Sequence, residues 1–173
     1  KDGIWNNDFY VGVLKGIEDK LDYLKTLGVN ILYLSPIVCS QSNHRYDTAD
    51  YESVDPYAGS NEDLRSLCDK AHSMGMKVVL DAVFNHTGND SKYFNEYNSY
   101  DTIGAYQGKD SPYYDFYKTY EHDGKIDFDY WWGLKNLPVC NGNSKHWQQY
   151  IYGENGVIDK WFELGIDGLR LDV

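Results

Sequence analysis

Three times along the chain the same cadence recurs: an amphipathic helix, a glycine that stops it, a short apolar strand and a polar strand end. The first helix is predicted from Lys15 to Leu27, where Ile17, Leu21, Leu24 and Leu27 share a face. Gly28 stops it, and Ile31-Leu32-Tyr33-Leu34 reads as a buried strand closed by Ser35-Pro36. The second unit opens on Ser60 with Asp63 in capping-box register, Asp standing in for Glu. Leu64, Leu67, Cys68, Ala71 and Met74 form its apolar stripe, Gly75 ends it, and Val78-Val79-Leu80 is the strand, with Asp81 at its end. In the third unit Val157, Ile158, Trp161, Phe162 and Leu164 mark the helix, Gly165 the stop, and Gly168 to Val173 the strand. Apolar strands that alternate with such helices belong to parallel sheets buried on both faces. That leaves a doubly wound sheet or a (β/α)8 barrel.

Between the second and third units, residues 85–153 are rich in Tyr, Asn, Gly and Asp and show little periodicity. An insertion of this length reads as a small subdomain rather than a loop. It leaves from the C-terminal end of a strand, where barrel enzymes build their active sites. The expected organisation is therefore barrel over 1–84, insertion over 85–153, and a further helix and strand over 154–173.

Charge and composition exclude more than they select. Sixteen basic against 27 acidic residues give a net charge of −11, which disfavours nucleic acid and anionic membranes as partners. No apolar run approaches the ~20 residues of a bilayer span. The chain opens on Lys1 rather than Met, carries no leader pattern, and reads as a piece of a longer one. Cys39, Cys68 and Cys140 form no C-x-x-C pair, and His44, His72, His86, His122 and His146 show no H-x-x-x-H spacing, so a zinc site is not expected. No G-x-G-x-x-G or Walker loop follows the first strand. Seventeen Tyr suit sugar rings, being flat, apolar and hydroxyl-tipped, but composition alone favours the plainer reading that they fill half-buried positions. Compartment stays open.

The polar strand ends carry the chemistry. Arg170 and Asp172 are two apart on one strand and share a face. A buried guanidinium beside a carboxylate keeps it ionised, as nucleophilic attack on an anomeric carbon requires. By spacing alone a structural Arg–Asp pair is an equal reading. Asp81 ends the middle strand, and Asn85 and His86 follow at its mouth. A neutral His there can donate to a sugar hydroxyl, and an Asn oxygen can bind a hydroxyl or a cation. A lone His is more often structural, but a His and an Asp together at a barrel rim shift the balance towards function.

Asp81-Ala82-Val83-Phe84-Asn85-His86-Thr87-Gly88 and Gly165-Ile166-Asp167-Gly168-Leu169-Arg170-Leu171-Asp172-Val173 resemble two signature regions of the α-amylase family of glycoside hydrolases, nearly residue for residue. The strand closed by Ser35-Pro36 resembles that family's second barrel strand. His44-Arg45-Tyr46-Asp47-Thr48-Ala49-Asp50-Tyr51 resembles the neopullulanase, cyclomaltodextrinase and maltogenic amylase branch, as Leu137-Pro138-Val139-Cys140-Asn141 does more loosely. That last motif usually reads Met-Pro-Lys-Leu-Asn, so Val139-Cys140 departs from it. The resemblance implies an α/β fold, a partial (β/α)8 TIM barrel of about strands 2–4 with an irregular subdomain after strand 3. It implies a retaining α-glucan hydrolase acting on α-1,4, and potentially α-1,6, bonds of starch-derived oligosaccharides, cyclodextrins or pullulan. Carried over by position, Asp172 is the nucleophile, Arg170 holds it, His86 binds hydroxyls of the sugar at the cleavage point, Tyr46 stacks on that sugar, and Asp81 shapes the site from beneath. Asn85 matches a calcium ligand of many members. The branch varies in calcium use, so no cofactor is expected to be required.

The family also needs a general-acid Glu and a further Asp, both past Asp172 in chain order, and its first strand precedes this chain's opening. The 173 residues by themselves are accordingly expected to be inactive, with unpaired sheet edges that oligomerisation would cover. The alternative from another class is a non-catalytic glycan-binding or interaction protein on the same scaffold. Intact Asp172, Arg170, His86 and Tyr46 weigh against it.

Overall fold

The computed structural model describes residues 12–173; the expected absence of the barrel's first strand bears on residues outside that range. In chain order the elements are α1 (Leu14–Glu18), α2 (Leu21–Thr26), β1 (Ile31–Leu34), β2 (Val38–Ser40), β3 (Thr48–Val54), α3 (Asn61–Ser73) and β4 (Lys77–Ala82). After them come β5 (Thr119–His122), β6 (Lys125–Phe128), α4 (Lys145–Tyr152), α5 (Val157–Glu163) and β7 (Gly168–Leu171).

β1, β4 and β7 form one parallel sheet in that order, with Leu34 opposite Leu80 and Asp81 opposite Arg170. Each strand lies beside its predecessor and the order never reverses. That is the order of a barrel wall, and equally of one half of a doubly wound sheet, which reverses only at its switch point. The first helix departs from its expected single span. It breaks at Asp19–Lys20, where Lys70 Nζ donates to the Glu18 carbonyl at 3.1 Å, an oxygen that a continuous helix would give to Asp22. α3 starts on the expected capping box, Asp63 N–H donating to Ser60 Oγ at 3.2 Å and Ser60 N–H to Asp63 Oδ2 at 2.9 Å. It stops at Gly75, whose φ of 70° suits a residue without Cβ.

The wall is buried on one face only. Leu32 and Leu34 sit in the core with Leu64, Leu67, Ala71, Val78 and Leu80, whereas Ile31 and Tyr33 are half exposed on the opposite, lumen-side face. This corrects the expectation of a β1 strand buried on both faces: among the described residues little covers the lumen side at Ile31 and Tyr33, although it is covered at Asp81.

Beyond the cadence, β2 and β3 form an antiparallel hairpin, as do β5 and β6. Residues 85–153 share the barrel's core. Tyr51 of β3 packs on Tyr93 and Trp147, with ring centroids 5.6 and 5.8 Å apart, and Trp161 of α5 donates from Nε1 to the Tyr51 carbonyl at 2.8 Å. Tyr93, Phe94, Phe116, Tyr117 and Phe128 are buried in the same cluster, so some of the Tyr content is packing, while Tyr23, Tyr57, Tyr97 and others are exposed. No helix among the described residues is long and apolar enough to cross a membrane.

Candidate active site

The strand ends place the polar side chains. Asp81 stands near the end of β4 with its side chain fully buried, opposite Arg170 of β7. It accepts from Arg170 Nη1 at 3.0 Å, from Tyr46 Oη at 2.9 Å and from the Tyr33 hydroxyl of β1. The same Nη1 of Arg170 holds Asp172, whose backbone N–H donates to the Ala82 carbonyl at 3.0 Å and so extends the β4–β7 pairing. One guanidinium thus joins two carboxylates, and both bonds raise its already high pKa. Arg170 was expected to be buried; its side chain is 47% exposed, because β7 is an edge strand of the described sheet.

Tyr46 reaches the site from the turn before β3, which is pinned from two sides. Arg45 there adopts φ 61°, and Gly88 N–H donates to the Thr48 carbonyl at 2.9 Å. A Cβ on Gly88 would lie 2.8 Å from the Asp47 carbonyl oxygen, so the motif's glycine is a close-approach requirement. Burial, then the bond to Asp81, push the Tyr46 phenol up to about 12. It stays protonated and donating at neutral pH.

His86 is buried, which lowers its pKa and keeps it neutral near pH 7. Its Nε2 lies 3.1 Å from the Tyr46 carbonyl and its Nδ1 3.2 Å from Asn85 Nδ2, so both ring nitrogens have protein partners. A sugar hydroxyl would reach it by sharing or replacing one of these bonds. The Leu137–Asn141 motif runs antiparallel to this segment. Val139 bridges His86, Thr87 N–H donates to the Pro138 carbonyl at 3.2 Å, and Cys140 N–H donates to the Asn85 carbonyl at 2.8 Å. Val139 and Cys140, the two departures from the branch's usual motif, are buried, while Leu137 lines the cavity.

That cavity, about 420 Å³, is lined by His44, Tyr46, His86, Trp131, Leu134, Asn136, Leu137, Asp172 and Val173. Tyr46, His86 and Asp172 share it, and Asp81 and Arg170 lie directly behind, within hydrogen-bond reach of Tyr46 and Asp172. All five residues that the sequence singled out around the site therefore converge. Tyr33 and Trp131 were not foreseen. Tyr33 stands out only as a hydroxyl-bearing residue in an otherwise aliphatic strand. Trp131 is signalled by the Trp-Trp-Gly run just before Leu137.

Calcium prefers several oxygen ligands, carboxylates above all. Among the described residues no group of three or more His, Cys, Asp or Glu is placed to hold a metal, and Asn85 alone adds one amide oxygen. These residues do not by themselves fit the ion.

A parallel wall with its polar cluster at the strands' C-terminal ends is the active-site geometry of a (β/α)8 enzyme. Residues 2–173 match the family model "Alpha amylase, catalytic domain". The chain belongs to that family, and its fold is a partial (β/α)8 barrel. It is 48% identical over 190 residues to an amylopullulanase of Thermoanaerobacterium saccharolyticum, covering 99% of this chain and 15% of that protein. Against the intracellular maltogenic amylase of Bacillus subtilis it is 40% identical over 168 residues, covering 96% and 27%. The crystal structure of Ttha1563 from Thermus thermophilus superposes with a TM-score of 0.83 at 38% identity, covering 97% of this chain and 34% of that one. Neopullulanase and cyclomaltodextrinase also stand among its relatives, as the branch motifs implied. The chain spans well under a third of the length of these curated relatives.

Proposed function

We propose that this chain is the nucleophile-bearing part of a retaining α-glucan hydrolase. The observation that carries the reading is the Arg170 bridge between Asp81 and Asp172, behind a cavity that Asp172 shares with Tyr46 and His86. Asp172 attacks the anomeric carbon, forming a C1–O bond while the glycosidic bond breaks, and water later releases the sugar. Arg170 holds Asp172 in place through its hydrogen bond. Asp81, fixed by three donors, orients Arg170 and Tyr46 from beneath. Tyr46 presents its ring to the sugar, and the neutral His86 serves a hydroxyl. The relatives' names support an α-glucan as substrate, with α-1,4 and α-1,6 bonds both represented by amylases and pullulanases.

A glycosidic oxygen leaves only when protonated, and a retaining site needs a second carboxyl ~5–5.5 Å from the nucleophile. Among the described residues Asp172 is the one carboxylate side chain lining the cavity. The 173 residues alone are therefore proposed not to turn over maltooligosaccharides, and in that setting they act as a glycan-binding wall.

A 5-fluoro-α-glucosyl fluoride tests both halves. Its fluoride leaves without a proton, and the 5-fluoro group slows hydrolysis of the ester. Intact-mass spectrometry is expected to show one fluoroglucosyl adduct, mapped to Asp172 and absent in Asp172→Asn. Maltotriose under the same conditions is expected to stay uncleaved. An adduct on another residue, or an Asp172→Asn chain labelled equally, would overturn the assignment.

A further inference from the structure

Trp131 and Trp132 stand side by side at the cavity's lip. Trp131 stacks on buried His86 with ring centroids 5.1 Å apart and planes 25° apart, and it lines the cavity with Asp172. Trp132 stacks on Trp131 at 4.7 Å and 9°, yet is itself 84% exposed. An indole left in water forfeits the stabilisation that burial would bring. The backbone adds a second cost. Trp132 sits at φ 51°, ψ 23°, the left-handed region that disfavours a bulky side chain, and Gly133 follows at φ 73°. The fold thus bears strain and exposure at one position, and the result is a flat ring stacked parallel on the one that walls the cavity, with its outer face bare.

A pyranose ring has one apolar face of about that shape, ringed by hydroxyls that remain in water. We propose that Trp132 is a stacking platform for one glucose unit of the α-glucan, adjacent to those the cavity holds, so that it selects for chain length. The proposal rests on the α-glucan reading of the cavity and adds a site outside it.

Calorimetric titration of the 173-residue chain with maltose and with maltohexaose separates the two. Wild type is expected to bind maltohexaose more tightly than maltose. Trp132→Ala is expected to weaken maltohexaose by about tenfold, the scale of one aromatic stacking contact, and to leave maltose unchanged. Trp132→Phe, which keeps a ring, is expected to recover most of the loss. Trp132→Gly relieves the left-handed backbone, so it is expected to raise the melting temperature while weakening maltohexaose as Ala does, a combination that a purely structural tryptophan would not give. Equal maltohexaose affinity in wild type and Trp132→Ala would overturn the platform and leave the α-glucan reading standing. A loss as large for maltose as for maltohexaose would overturn it too, by placing Trp132 inside the cavity's own contacts. Failure of the wild type to bind either sugar would overturn both.

Discussion

Asp90 is a carboxylate in a place that does not favour its charge. Its Oδ1 is buried without a hydrogen-bond partner, and burial, with the nearby Asp47 charge, pushes its pKa up to about 6. A folded-state value above the unfolded one means that the folded chain holds the extra proton between roughly pH 4 and 6. Stability therefore falls as pH rises through that window, and the full cost is present above it. Asp90→Asn keeps the shape and removes the charge, so it is expected to stabilise by about 1–2 kcal/mol at pH 7.5 and hardly at all at pH 3. Urea denaturation at the two pH values checks this, and a variant destabilised at pH 7.5 would contradict it. Asp81 shows the opposite treatment of a buried carboxylate, with three donors converging on it. The contrast separates a carboxylate held for use from one tolerated in the packing.

Element by element, the chain was legible where its pattern is local. The three units declared themselves because a helix stripe, a stop glycine and an apolar run all fall within a short stretch, and the Ser60–Asp63 cap lies within one turn. Signals that depend on distant partners stayed hidden. The break between α1 and α2 leaves a carbonyl that Lys70, on another helix, satisfies, and β3 reads as polar until Trp161 and Tyr93 close over Tyr51. The site was legible in Asp81, His86, Arg170 and Asp172, which stand at strand ends, and in Tyr46 through its motif. It was illegible at Trp131, which only the fold of the insertion brings to His86. That insertion is tied to the barrel by Glu52 of β3, which accepts from Lys92 at 3.0 Å, from Tyr150 of α4 at 3.0 Å and from Lys160 of α5. Burial would raise the Glu52 pKa, but the bonds to Lys160 and Lys92 outweigh it and bring it down to about 2. A depressed folded-state value means stability present above the unfolded pKa near 4.3 and lost as pH falls towards 2. Glu52→Gln is thus expected to lower the melting temperature at pH 7 by several degrees and to converge with wild type near pH 2. A constant difference between the two pH values would remove the charge from the explanation.

On the scale of the whole molecule, the active-site wall and the exposed wall are the same sheet. β4 is covered by a strand on each side, but β1 and β7 each present an unpaired edge among the described residues; Ile31 and Tyr33 leave apolar area open on the lumen face, and Leu171 leaves it open on the other face of the β7 edge. Unpaired parallel edges beside exposed apolar side chains are templates for further pairing. The 173-residue chain is therefore expected to self-associate as its concentration rises, read as a shift in sedimentation coefficient across the micromolar range. Ile31→Lys puts a charge on the β1 edge, where it blocks pairing by the device natural edge strands use, and is expected to shift the population towards monomer. Ile31 touches neither the cavity nor the Asp81–Arg170–Asp172 bridge. The monomeric variant should therefore still take the fluoroglucosyl adduct on Asp172, whereas a site assembled only between copies would lose it. A wild-type chain that sediments as a monomer at every concentration would show that the lumen face is closed in some other way. The face that carries the chemistry would then not be the one that seeks a neighbour.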